Sequence, residues 1–187
     1  MRLPPFHIGK KERSGMKRKE TVYRGVEYEE AMRVVQAQKY ERAERRHFTN
    51  GASAKAVFGS GVYLVSNPVV AAQYAICHAE TIGDKAVVLK QEVDVPGLLQ
   101  LDERFGENEL RREALRYRHS PEELEQRVAN MEHQEWLEWT GDEVRAYLLA
   151  CGYRGIRYRI TPDLTYYVCY EPDAQIKAIS ILSVLEL

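Results

Sequence analysis

Apolar positions along the chain follow two different periods, and the switches between them mark its elements. In "TVYRGV" (21–26) β-branched and aromatic residues crowd into six positions, which predicts a short strand. From Glu27 to about Glu44 the period lengthens. Tyr28, Met32 and Val35 recur at i, i+4 and i+7 with charges between them, which predicts a helix presenting those three side chains to the core. Residues 45–60 lose both periods and read as a loop. "GVYLV" (61–65) predicts a second strand. Asn67 and Pro68 then form a helix start, Asn as cap and Pro at the first helical position, opening a helix that stops near Gly83. "KAVVLKQEVDV" (85–95) predicts a third strand.

Residues 107–150 are charged, glutamate-rich and helical in period, and Ser120-Pro121-Glu122-Glu123 is a capping box opening one of these helices. Strands follow at 153–160 and 165–171, joined by a Thr-Pro-Asp turn as a hairpin, and a last strand runs over 176–187. Strands and helices, then a helical insert, then a run of strands give an α+β class rather than regular βαβ alternation. Residues 21–187 read as one domain, with 107–150 as a helical insert.

Charge and composition narrow the function. The net charge is −1, yet the first 20 residues hold seven Lys or Arg against two Glu, about +5, so the body carries about −6. The expectation is a basic, flexible N-terminal arm (1–20) on a mildly acidic domain without the basic stripe of nucleic-acid binders. Twelve tyrosines stand against four phenylalanines. Tyrosine offers a ring to stack on and a hydroxyl to hydrogen-bond, so the bias points to a ligand or partner surface. Cys77, Cys151 and Cys169 are odd in number and unsuited to zinc or a disulfide framework, and read as reduced core residues. No stretch has the length of a membrane span, and the N-terminus lacks a signal-peptide apolar region. A cytoplasmic protein is expected, bacterial or delivered into a host cell by a leaderless route. No metal site is expected.

Four stretches carry possible chemistry. Arg24 lies mid-strand in Tyr23-Arg24-Gly25, where a guanidinium seeks a carboxylate or a phosphate and Gly25 admits a close backbone approach; an ordinary ion pair explains it equally. Gly59 and Gly61 bracket Ser60, then Tyr63 on a strand and Tyr74 on the next helix stand eleven positions apart. Two such rings form a seat for a planar heterocycle, or simply fill a core. Asp163, Glu171 and Asp173 cluster around the hairpin, where a carboxylate can stabilise an oxocarbenium ion or merely end a turn. His47 lies in the 45–54 loop.

The order "VYRG", helix, "GSGVYLVSNPVVAAQYA", helical insert, "YYVCYEPDAQIKAI" resembles the ADP-ribosyltransferase superfamily over about residues 21–187, and is most similar to small mono-ADP-ribosyltransferase-like domains of bacterial effectors, toxins and phage proteins. The resemblance implies a split two-sheet fold with a helical insertion. It implies NAD+ as co-substrate, with Tyr63 and Tyr74 stacking on nicotinamide, Arg24 on the pyrophosphate and Gly25 offering its backbone to the carboxamide. The Tyr-Arg-Gly motif is similar to the arginine branch of the superfamily and the tyrosine pair to its polymerase branch, so the chain looks like a hybrid. The third motif departs from the family: Tyr166 stands where the family's catalytic glutamate is placed, and Glu171 matches the structural acidic position. Asp163 is the substitute carboxylate by position. Two functions follow: a mono-ADP-ribosyltransferase acting on a protein or other macromolecular acceptor, or a catalytically degenerate module of the same fold acting through protein–protein contact.

Overall fold

A computed structural model describes residues 19–40, 57–78 and 85–186. Most of the expected arm (1–20), most of the expected loop (45–60) with His47, and the expected helix stop near Gly83 lie outside them, while Lys19 and Glu20, expected in the arm, belong to the first strand. Among the described residues seven strands form one sheet: β1 (Lys19–Glu27), β2 (Val62–Val65), β3 (Lys85–Asp94), β4 (Leu98–Leu101), β5 (Gly155–Thr161), β6 (Leu164–Cys169) and β7 (Ile176–Glu186). Their spatial order is β4-β5-β6-β2-β1-β3-β7. Among the described residues six helices accompany them: α1 (Tyr28–Ala37), α2 (Pro68–His78), α3 (Glu107–Arg118), α4 (Pro121–Val128), α5 (His133–Ala150) and the single turn α6 (Pro172–Gln175). The class is α+β, as the sequence predicts.

Pairing is antiparallel throughout except where β4 runs parallel to β5. β4 has no counterpart in the sequence reading. Four residues are too few to establish a period, and only the pairing with β5 defines the strand. The ladders differ greatly in length. β1 and β3 are in register over nine pairs, from Lys19↔Asp94 to Glu27↔Ala86, whereas β1 and β2 meet at Tyr23↔Val65 only. The sheet is therefore two well-bonded halves, β4-β5-β6-β2 and β1-β3-β7, joined along a seam with little main-chain bonding.

Side chains alternate across a sheet, and directly opposed residues share a face. One face carries Val22, Val26, Val62, Leu64, Val87, Leu89, Val93, Tyr167 and Cys169, and α1 packs Ala31 and Val34 into this cluster. Here the sequence reading is corrected. Val35 packs against the core as expected, but Tyr28 and Met32 are 40% and 45% exposed, and Ala31 and Val34 take their place. Ala31 lets the helix axis approach the sheet, and Lys85 Nζ sits over the outward Tyr28 ring at 5.7 Å. The opposite face is covered in two patches. α2 lies over β1 and β3 with Ala71 against Val65 and Val88. The insert helices α3 and α5 bring Leu110, Ala114, Val144, Tyr147 and Leu148 onto Leu99, Leu101, Ile156 and Val168.

The helix starts are those encoded locally. Asn67 Oδ1 accepts from the amides of Val69 and Val70 at 2.8 and 3.3 Å. Ser120 and Glu123 exchange the two bonds of a capping box at the head of α4. The hairpin turns at Pro162-Asp163, with Thr161 opposite Leu164. The cysteines separate: Cys169 is buried and Cys151 half-buried, but Cys77 is exposed on α2, contrary to the core placement expected of all three. An α-helix turns 100° per residue, so an apolar local context does not fix which side of a helix a residue takes.

Candidate functional site

The site grows from strand register. Tyr23 opposes Val65, Val65 opposes Tyr166, and Tyr166 opposes Tyr158, so one row crosses β1, β2, β6 and β5 on the face that α2 covers. Tyr63 belongs to the next row on the same face, opposite Val168. Tyr23, Val65 and Tyr166 pack in the patch under α2, and Tyr63, Tyr158 and Val168 in the patch under α3 and α5, so the row runs from one patch to the other. Tyr63 and Tyr166 remain partly accessible there, and Tyr74 of α2 is 41% exposed.

Tyr74 reaches the row through its hydroxyl, which lies 3.0 Å from that of Tyr166. Burial pushes the Tyr74 phenol well above its ordinary pKa, and the hydrogen bond to Tyr166 adds to the rise. Tyr63 is held separately, its hydroxyl donating to the Gly59 carbonyl at 2.6 Å. The two tyrosines of the sequence motif thus stand on one side of the sheet, with Tyr166 between strand and helix as a third member. Tyr166, Tyr23 and Tyr158 were not singled out as ring donors by the sequence reading. The signal lay in the alternation of Tyr158 in "YRGIRYRI" and Tyr166 in "LTYYVCY", which becomes a row only once the register between the strands is known.

What places Tyr74 over the sheet is Gly25. A β-carbon there would stand 2.0 Å from the Ala71 carbonyl oxygen and 2.4 Å from the Ala75 amide nitrogen. The glycine lets α2 sit directly on β1, so this side of its Cα faces a helix rather than a ligand. The bracketing glycines behave alike. Gly59, at φ +78°, packs against α5, where a β-carbon would meet the Gly141 carbonyl at 2.6 Å, and at Gly61 it would meet the Cys169 carbonyl at 3.0 Å. At both positions the space a side chain would take is filled by close packing inside the chain.

Arg24 lies on the other face of β1 with Val22 and Val26, and is 7% exposed. Its Nη1 donates to the Tyr63 carbonyl at 3.1 Å, its Nη2 lies 3.8 Å from the Glu30 carboxylate, and its guanidinium covers the Tyr40 ring at 5.0 Å. Tyr40 in turn donates its hydroxyl to Gln91 on β3. These contacts engage the guanidinium within the protein and tie it to the strand that carries Tyr63.

The carboxylates take separate places. Asp163 is exposed at the hairpin tip, where Ser66 Oγ donates to its main-chain carbonyl at 3.5 Å. Ser66 also accepts from the Thr165 amide at 2.9 Å, which pins the tip to the junction of β2 and α2. Glu171 pairs with Arg154 at 2.9 Å, and its amide donates to the fully buried Gln175. Those bonds shape the turn into β7, a structural role. Across the row from Lys90 through Tyr23, Val65, Tyr166 and Tyr158 to Leu101 there is no carboxylate. The described residues of the row supply aromatic faces and phenol hydroxyls, suited to stacking and hydrogen bonding. No helix among the described residues is long and apolar enough to cross a membrane. Comparison of the chain with protein-family models, curated proteins and solved structures gives no match.

Proposed function

We propose that the chain is an ADP-ribosyltransferase-like domain that binds the nicotinamide end of NAD+ on the Tyr63–Tyr74–Tyr166 surface, and acts as a binding module directed at a protein partner rather than as an efficient transferase. The observation that carries this is the Tyr74–Tyr166 hydroxyl contact at 3.0 Å. In this reading the phenol of Tyr166, which stands where the resembled family keeps a glutamate, borders the nicotinamide seat. Breaking the N-glycosidic bond leaves positive charge on the ribose, and a carboxylate stabilises that charge far better than a phenol does. Arg24 enters this reading as the group that positions β2 and hence Tyr63.

A second reading rests on Asp163. The Ser66 bonds fix the hairpin tip at the end of the sheet that leads into α2 and leave Asp163 open to solvent. If that carboxylate serves the reaction, the domain is an NAD-dependent mono-ADP-ribosyltransferase. Nicotinamide leaves with the bonding pair, an acceptor nucleophile bonds to C1 of the ribose, and the acceptor's proton passes to solvent or to Asp163.

Titration of NAD+ by calorimetry, alongside a nicotinamide-release assay, separates the readings. The expected result is binding that weakens at least tenfold in Tyr63→Ala and in Tyr74→Ala, no turnover in the parent chain, and turnover appearing in Tyr166→Glu. Turnover in the parent chain that disappears in Asp163→Asn establishes the second reading instead. Absence of NAD+ binding overturns both.

A further inference from the structure

We infer that the seam between β1 and β2 is a hinge, and that Glu20, Arg157 and Tyr167 form the latch that holds it closed. This inference is independent of which ligand the tyrosine surface takes. It begins from the contrast in the ladders: nine registered pairs hold β1 to β3, and four hold β2 to β6, while Tyr23↔Val65 alone registers β1 with β2. A seam with so few main-chain bonds is held by side chains: one buried apolar cluster spans it on the α1 side, Ala71 of α2 packs on Val65 and Val88 from the other, and the described polar ties across it are few and specific.

Glu20 of β1 reaches past β2 to the other half of the sheet. Its Oε2 accepts from Arg157 Nε at 3.0 Å and its Oε1 from Arg157 Nη2 at 3.3 Å, the two-pronged arrangement that suits guanidinium to carboxylate. The Tyr167 hydroxyl donates to the same Oε2. Arg157 Nη1 donates further to Gln100 of β4 at 3.1 Å, so the bridge runs from β1 across β6 and β5 to β4. The Glu20 and Arg157 side chains are 16% and 23% exposed, partly withdrawn from water, where charged hydrogen bonds hold more strongly than at a free surface. The Tyr167 phenol is pushed up to about 12 by burial and by its bond to Glu20, so it remains a donor across the physiological range.

On the other side of the Tyr23↔Val65 pair Arg24 Nη1 donates to the Tyr63 carbonyl, a second polar tie among the described contacts. Apolar packing of Val22 with Leu64 and Tyr167 lies between the two ties. Such packing is non-directional and tolerates small rotations, whereas the Glu20 bonds fix one angle. Releasing the Glu20 end lets the halves rotate about Tyr23↔Val65. That rotation changes the spacing of Tyr23 on one half from Tyr63 and Tyr166 on the other, and so the width of the tyrosine surface.

Methyl relaxation-dispersion NMR on the full chain reads such microsecond-to-millisecond opening. In Glu20→Gln the expected result is new exchange at Val22, Leu64 and Val65, beside the seam, with Leu110 and Leu148 of the insert cluster unchanged. Tyr167→Phe removes a single donor, retains the ring, and raises the open population about tenfold, which guards against a Glu20 variant that does not fold. Adding Arg157→Gln to Glu20→Gln gives no further increase, because the same latch is already released. Exchange spread equally over the insert cluster, or seam methyls unchanged in both Glu20→Gln and Tyr167→Phe, overturns the inference.

Discussion

Replacing Gly25 by alanine tests whether one missing side chain sets the position of α2 and, through it, the candidate site. The added methyl would lie 2.0 Å from the Ala71 carbonyl oxygen, 2.4 Å from the Ala75 amide nitrogen and 2.9 Å from the Ala75 Cα. All three are main-chain atoms of a helix, so no side chain can rotate aside. Ordinary contact needs about 3.4 Å, so α2 has to rise by more than about 1 Å or β1 has to sink into its own core. Either response unpacks Ala71 and Ala75, both 0% exposed, and loosens Val65 and Val88 beneath them. Overpacking of this kind costs about 3 kcal/mol, the upper part of the usual range, because the clash is with backbone on both sides. For a domain of this size that is a fall of about 6–12 °C in Tm. Urea denaturation followed by circular dichroism measures it, with Gly152→Ala as the control. Gly152 also has a positive φ, +83°, but no atom lies within 4 Å of its added β-carbon, so that variant loses only about 1–2 kcal/mol through backbone strain. A Gly25→Ala protein within about 0.5 kcal/mol of the parent would refute the reasoning, because α2 could then not be seated on β1 as described.

Alkaline pH should weaken the fold. Tyr74, Tyr147, Tyr167 and Tyr170 all have phenols raised by burial, Tyr167 to about 12, so above about pH 10 the unfolded chain releases protons that the folded chain retains. Stability from these groups is complete below the ordinary tyrosine pKa and is lost as pH rises through the folded values; a urea midpoint that stays level from about pH 9 to pH 11 would contradict this. Ser120→Ala removes the capping bond to the Glu123 amide and should cost about 1 kcal/mol of helix stability. Since α4 has no buried residue, the loss should show as faster amide exchange within 121–128 and leave the sheet unchanged; uniform acceleration over the sheet would show that α4 is coupled to the core.

The helix starts were legible because they are local: Asn67-Pro68 and Ser120 through Glu123 satisfy their own neighbouring amides, whatever packs above them. The hairpin at Pro162-Asp163 was legible for the same reason. The α1 face was misread because its period admits more than one stripe, and the sheet accepts the narrow Ala31–Val34 stripe in preference to Tyr28 and Met32. In the candidate site, Tyr63 and Tyr74 were visible as types at a spacing, while the involvement of Tyr166 with Tyr74 depended on an approach across 92 residues.

The sequence by itself determined the α+β class, the order of most elements, their caps and turns, and a surplus of tyrosine in strands. Those properties follow from bonds between residues close along the chain. Tertiary structure alone decided that Tyr23, Tyr166 and Tyr158 form one row, that Gly25 receives a helix, that Arg24 points into the α1 side, and that β1 and β2 share a single registered pair. Strand register and helix docking are settled by which surfaces fit when distant segments meet, and a one-residue slip would move every one of these side chains to the other face.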